Sequence, residues 1–216
     1  MGCGTPSNIA SAQVFANVLR DALASSRAAS DLMLPMVDLS ALFPEAAAKW
    51  LAPRGSEVQT GARVTALNAT ENGFTVSTGD QRHSFSRVII AVGPHQIGAL
   101  GLPGLAAPVF DYQPIYTVYL QYSPSVRLPY PMAGQTKGLA QWFFDRGALS
   151  NDPNGKKPLG LIAAVISAAG EHEQLENTDL AGRVHEELVA ALGPLPAPLW
   201  HKVIAEKFAT FSCTPL

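Results

Sequence analysis

Arg87-Val88-Ile89-Ile90-Ala91-Val92-Gly93-Pro94 is the stretch on which the reading of this chain turns. Four of the five residues from Val88 to Val92 are β-branched, and no polar side chain interrupts them. A short, wholly apolar run bounded by Arg and Gly-Pro predicts a strand buried on both faces, as in a parallel sheet. In nucleotide-binding α/β proteins the ligand lies beyond the carboxyl ends of such strands. Gly93 removes a side chain where backbone can approach a cofactor closely. The same pattern also fits an ordinary α/β strand running into a loop, and the run by itself leaves both readings open.

Upstream, the period is two. Residues 57–60 and 63–68 read as short strands hinged at Gly61. Phe74, Val76 and Thr78 alternate with polar neighbours after a hairpin tip at Glu71-Asn72-Gly73. Gly79-Asp80 turns the chain again, and His83 and Phe85 continue the return strand. Further upstream the period becomes helical. Ser11 is placed to cap a helix carrying Val14, Phe15, Val18, Leu19, Ala22 and Leu23 on one face. Residues 25–30 read as a loop. Pro44 suits the first turn of a second helix through Trp50 and Leu51, stopped by Pro53 and Gly55.

Downstream, Pro103, Gly104, Pro108 and Pro114 surround a crossing into a different unit. Residues 115–122 read as a strand with Tyr116, Val118, Leu120 and Tyr122 on one face. Residues 141–144, 159–167 and 200–211 read as further strands. The loop over 150–158 is polar and Pro-rich. Thr178 is placed to cap a helix with Leu180, Val184, Leu188 and Leu192 on one face, ended by Gly193-Pro194. The fold class expected is α+β with α/β character, in three parts: 1–54 helical, 55–102 a partial nucleotide-binding domain, and 103–216 a mixed-sheet domain.

Composition narrows the function classes. The 216 residues are 47% apolar and only 15% charged, against about 25% charged in an ordinary soluble protein. Fifteen Lys and Arg against 17 Asp and Glu leave a net charge of −2, so no basic surplus exists to neutralise phosphates. That excludes a typical nucleic-acid binder. Cys3 and Cys213 are too few for a disulfide framework, which fits a reducing, cytosolic setting. No apolar run approaches the roughly 20 residues that span a bilayer, and no secretory signal follows Met1.

Catalytic signatures are missing. There is no Gly-x-Ser-x-Gly elbow and no phosphate loop, and Gly155-Lys156-Lys157 lacks the preceding glycine. His172-Glu173 and His185-Glu186 are not followed by a second His at helical spacing, so no metal site is expected. No pair of carboxylates stands out, and no catalytic residue is assigned.

Several stretches together resemble one family. Glu57-Val58-x-x-Gly61-x-Arg63-Val64-x-x-Leu67, the hairpin, and the run from Arg87 to Pro94 are similar to the interior of flavin-containing amine oxidases and carotenoid desaturases. Leu34-Pro35-Met36-Val37-Asp38-Leu39-Ser40-Ala41-Leu42-Phe43-Pro44, Gln141-Trp142-Phe143-Phe144-Asp145-Arg146-Gly147, Val165-Ile166-Ser167-Ala168 and Glu206-Lys207-Phe208-Ala209-Thr210-Phe211 resemble the squalene-associated FAD-dependent desaturases, also described as hydroxysqualene dehydroxylases of hopanoid biosynthesis. The resemblance implies FAD as cofactor, with Val64 offering its backbone to the adenine and Ala91, Val92 and Gly93 passing close to the cofactor. It places Tyr116, Tyr119, Trp142 and Phe144 in a substrate-binding region suited to an apolar isoprenoid. For these aromatics the alternative is plain sheet packing.

The family's glycine-rich N-terminal turn and its closing Gly-Asp segment are not found in these 216 residues. The expectation is therefore an internal fragment of a longer FAD-dependent oxidoreductase, without FAD of its own and inactive alone. Bare apolar surface around 88–92 leads to an expectation of self-association. The implied setting is cytoplasmic, with peripheral contact at the inner membrane. Two other readings stay open: a flavin amine oxidase, and a non-catalytic module for an apolar ligand or a partner.

Overall fold

A computed structural model describes residues 4–6, 8–24, 26–106, 108–150 and 157–215. Cys3, Lys156 and most of the 150–158 loop lie outside the described residues. The chain divides into two compact units, Met1–Glu45 with Asp111–Leu216, and Ala46–Phe110. The sequence reading had set its divisions at 54/55 and 102/103.

The helices expected at Ser11 and Pro44 start there, and a short one between them is not expected from sequence. Ser11 accepts from Val14 N–H at 3.5 Å and opens α1 (Ala12–Leu19), which runs on as a π-helical turn over Arg20–Ala24. The 25–30 segment, expected as loop, winds into a 3₁₀ turn at Arg27–Ser30. Asp38 accepts from Ala41 N–H at 2.8 Å and opens α2 (Leu39–Leu42). Pro44 opens α3 (Pro44–Leu51), which ends through a 3₁₀ turn with Gly55 at φ 75°. No residue of these three helices is buried. The apolar face read for α1 is real, but Phe15 and Leu23 stay more than half exposed.

In the unit Ala46–Phe110, β1 (Ala66–Thr70), β2 (Gly73–Thr78) and β3 (Gln81–Phe85) form an antiparallel meander. The registers Thr70↔Gly73 and Thr78↔Gln81 leave two-residue turns at Glu71-Asn72 and Gly79-Asp80. Gly73 sits at φ 151°, and a Cβ there would run into the Phe85 carbonyl, so only glycine suits the position. Leu67 and Leu100 are the buried apolar residues described in this unit.

Two strand expectations fail here. Residues 57–60 and 63–65 form no strand; only Thr65 N–H reaches the ladder, donating to Ser77 O at 2.8 Å. The run 88–92 forms no strand, and Ile89 is 93% exposed. A strand buried on both faces needs neighbouring strands and covering helices. No strand among the described residues pairs with the run, and the order β1-β2-β3 ends at β3. After it comes α4 (Pro94–Ile97), a single turn.

The other unit holds β4 (Tyr112–Gln121), β5 (Met132–Gly134), β6 (Trp142–Asp145), β7 (Leu161–Ser167), α5 (Asn177–Leu192) and β8 (Trp200–Phe211). The strand order is β5-β6-β7-β4-β8, and every pairing is antiparallel. This corrects the expected mixed sheet. β7 and β8 run in the same direction, joined by α5, but β4 lies between them and opposes both. The short β5 was not read from sequence, and α5 begins two residues earlier than expected, after Glu176 rather than Thr178.

Register sorts the sheet into two faces. Val118, Leu120, Ile162, Ala164 and Ile166 point to one face, with Tyr122 just beyond β4. Leu180, Ala181, Val184 and Leu188 of α5 pack on that face and complete the core. All nine of these aliphatic side chains and Tyr122 are at most 3% exposed. This is the one hydrophobic core cluster among the described residues, and it fixes which face of the sheet α5 does not cover.

Candidate functional site

The four aromatics assigned to substrate divide between the two faces. Tyr116 pairs with Ile166 and Ala205 on the helix-covered face and is 9% exposed. Its ring meets His172 edge to face at 4.8 Å. Tyr119, Trp142 and Phe144 lie on the opposite face, which carries no helix of this unit's core. The structure thus brings three of the four together and leaves Tyr116 in the packing.

The three stand in two adjacent rows across the strands. One row reads Met132, Phe144, Ala163, Tyr119, Lys202; the next reads Gly134, Trp142, Val165, Thr117, Ile204. Tyr119 and Phe144 are two strand spacings apart, about 10 Å, with the small Ala163 between them. Trp142 and Phe144 are next neighbours on the same side of β6. The Trp142 ring lies over Gly134, where a Cβ would approach it to 2.7 Å. Gly134 therefore lets the indole lie flat against the sheet, with 37% of it exposed. The result is an apolar, aromatic strip whose centre holds no charge and whose β8 side carries Lys202 and Glu206.

Polar side chains that the sequence reading passed over hold β6 in place. Glu187 of α5 accepts from Gln135 Nε2 at 2.6 Å, Ala140 N–H at 3.1 Å and Leu139 N–H. It ties down the 135–140 loop that leads into Trp142. Gln141 bridges the same loop to β7, donating to Leu139 O at 2.9 Å and accepting from Ser167 N–H at 2.7 Å. At the far end of β6, Asp145 is 2% exposed and accepts from Leu128 N–H at 3.2 Å and Ala148 N–H at 3.0 Å. Only one signal was available in sequence: Asp145 falls at an apolar-face position of a strand, where an acid needs donors. Glu187 looks like any surface acid of a helix.

Two further polar groups sit in the core. The Tyr122 hydroxyl is 2.9 Å from His185 Nδ1, and burial pushes its pKa up to about 12. His172 is 3% exposed, and its Nε2 has no hydrogen-bond partner among the described residues. Burial lowers its pKa from 6.5, partly opposed by Glu173 and Glu171. No group of three or more His, Cys, Asp or Glu among the described residues is arranged to hold a metal.

The four residues assigned to the cofactor all lie in the Ala46–Phe110 unit. Val64 is 40% exposed, immediately before the β1–β2 ladder, and its backbone groups are unpartnered among the described residues. Ala91 and Val92 are exposed and likewise unpaired. Gly93 is different: its N–H donates to Gln96 Oε1 at 3.2 Å and its carbonyl accepts from Gln96 N–H at 2.8 Å. Its φ is −60°, an ordinary value, and a Cβ would approach the His95 ring to 2.8 Å. Beside Val64, residues 60–63 with Thr65, Thr78, Gly79 and Gln81 line an open groove of about 470 Å³. Backbone donors and acceptors unpartnered among the described residues at Val64, Ala91 and Val92 suit the heterocycle edges of a dinucleotide; the Gly93 N–H is already taken by Gln96.

Residues 22–206 match the model of the family described as flavin containing amine oxidoreductase. A hydroxysqualene dehydroxylase of Rhodopseudomonas palustris is 27% identical over 217 residues, covering 95% of this chain and 47% of that protein. One from Sinorhizobium fredii is 25% identical over 221 residues, covering 100% of this chain and 48% of that protein. The chain thus spans about half the length of these relatives. Among solved structures, a putrescine oxidase with putrescine bound superposes with a TM-score of 0.53 at 18% identity, over 74% of this chain and 38% of that one.

Proposed function

Since this chain belongs to the family of flavin containing amine oxidoreductases, we propose that the protein it forms is an FAD-dependent oxidoreductase acting on a squalene-type isoprenoid. The uncovered face of the five-stranded sheet carries this reading. Met132, Phe144, Ala163, Tyr119, Trp142 and Val165 share that face, and none of the six is charged. A long hydrocarbon gains roughly 25 cal/mol for each Å² it buries on such a wall. On those six side chains a cationic amine would lose hydration without meeting a carboxylate. The names of the two dehydroxylase relatives support the same substrate class.

FAD, when bound, supplies the two-electron exchange of a hydride with a carbon of the polyprene. Val64, Ala91 and Val92 are the residues of this chain proposed to hold it, through their unpartnered backbone groups. Gly93 contributes position rather than a donor, since Gln96 takes its N–H. Tyr119, Trp142 and Phe144 orient the polyprene and keep water from its reacting carbon. No helix among the described residues is long and apolar enough to cross a membrane. A substrate this apolar dissolves in bilayers, so the reading puts the work in the cytoplasm, at the periphery of the inner membrane.

The test is a substrate comparison with the FAD-loaded product of the complete gene, offered hydroxysqualene, phytoene and putrescine. Hydroxysqualene should be consumed, with product read by mass spectrometry. Trp142→Ala should raise KM several-fold more than it lowers kcat. Turnover of putrescine in preference to the isoprenoids would replace this reading with an amine oxidase. A flavin-free protein that still binds squalene would replace it with a non-catalytic module.

A further inference from the structure

The five-stranded sheet ends on one side at β8, a twelve-residue strand with no partner on its outer edge among the described residues. Its other edge is β5, only three residues long. Proteins usually blunt long edges, because a row of free amides and carbonyls is a template for another strand. A register shift between Gln113 and Ile115 interrupts the β4–β8 pairing beyond Glu206. What remains regular is 200–206.

The direction of each amide in that segment follows from the ladder. Tyr122 N–H donates to Gly160 O at 2.8 Å and Ala168 N–H to Pro114 O at 3.0 Å, so the even-numbered residues of β4 exchange hydrogen bonds with β7. The odd-numbered ones therefore exchange with β8, and their partners are Trp200, Lys202, Ile204 and Glu206. His201, Val203 and Ala205 are left with their N–H and C=O groups aimed outward.

We propose that a second copy of this chain pairs with this edge, β8 against β8, antiparallel across a two-fold axis at Ile204, to give one ten-stranded sheet. Charge selects the partner and the register. Centred on Ile204, the pairing sets Lys202 opposite the partner's Glu206 and Glu206 opposite the partner's Lys202. Ile204, 48% exposed in the single chain, meets its own copy. Val203 and Ala205 exchange hydrogen bonds across the seam in both directions. Centring on Val203 would instead set Lys202 against Ile204 and Trp200 against Glu206, with no complementary pair. Neither Lys202 nor Glu206 forms an ion pair among the described residues. The Glu206 carboxylate is already held near the edge, accepting from Phe208 N–H at 3.0 Å. A self-complementary charge pattern about one point is what an isologous interface requires. This surface is separate from the bare 88–92 run.

Sedimentation velocity and amide exchange on the 216-residue chain test the proposal together. The chain should dimerise with rising concentration, and the Val203 and Ala205 amides should gain protection as it does. Lys202 and Ile204, bonded to β4, should be protected throughout. Lys202→Glu sets like charges opposite each other twice and should weaken the dimer by about tenfold or more. The double swap of Lys202→Glu with Glu206→Lys should restore it. Ala205→Pro removes an outward donor but no β4–β8 bond, and should leave a monomer. A chain that stays monomeric overturns the proposal. So does a dimer indifferent to Lys202→Glu, or one whose Val203 and Ala205 amides exchange as fast as in the monomer.

Discussion

His172 and Glu187 show opposite ways in which one polar side chain is accommodated. His172 is buried against Tyr116 with its Nε2 unpaired among the described residues, and burial lowers its pKa below the ordinary 6.5. The unfolded chain therefore binds a proton more readily than the folded one. Stability contributed by the neutral imidazole is present above the ordinary value and is lost as pH falls through the lowered one. Urea unfolding followed between about pH 8 and about pH 5 should show a falling midpoint. His172→Phe should flatten that fall, because the ring is kept and the titration removed. Glu187 instead satisfies three donors of the loop before Trp142. Glu187→Ala strands two backbone amides and should cost about 1–3 kcal/mol. Faster amide exchange at Leu139 and Ala140 than at Val118 would locate the loss in the loop, and unchanged exchange there would contradict the clamp.

At the scale of elements, α5 and the 88–92 run are the informative contrast. Both read as apolar from sequence, but only α5 finds a surface to cover. Leu188 is 1% exposed against the β4–β7 face, and Leu188→Ala should cost about 2–5 kcal/mol in a urea titration. Ile89 is 93% exposed, and Ile89→Ser should change stability by no more than about 0.5 kcal/mol. A large loss from Ile89→Ser would mean that this chain buries the run against something. The same contrast explains which aromatics face outward. β4 alternates strictly, so α5 on the Val118 side commits Tyr116 to the core and Tyr119 to the open face.

At the scale of the whole molecule, the two units differ in how much apolar surface they bury. The five-stranded sheet and α5 share one continuous core, whereas the three-stranded meander has Leu67 and Leu100. Amides of β4 and β7 should therefore be the slowest to exchange and those of β1–β3 among the fastest of the strands, since protection follows burial and contact. Equal protection in both sheets would count against two units of unequal stability. Flavin retention is a second expectation at this scale. The 216 residues hold no glycine-rich turn, and each charged hydrogen bond to a pyrophosphate is worth about 1.5–3 kcal/mol. The purified chain should emerge colourless after dialysis, and stoichiometric flavin absorbance would contradict this.

Sequence by itself determined the elements whose signals are local. The alternation of Tyr116, Val118, Leu120 and Tyr122, the spacing of Leu180, Val184 and Leu188, the limits of β8, the cap at Ser11 and the helix start at Pro44 depend on side chains within a few residues, and the chain carries them wherever it goes. The family was also legible, because it is spread over several ordered stretches. Tertiary structure alone decided what is covered. An apolar run such as 88–92 says that burial would be favourable, not that a partner is present. Tyr116 and Tyr119 have equal claims as aromatics until α5 settles on one face. The roles of Glu187, Asp145 and the outward amides of β8 arise from residues that are far apart along the chain. Which donors meet a carboxylate, and which strand edge stays open, are properties of registers and crossings, and no local pattern encodes them.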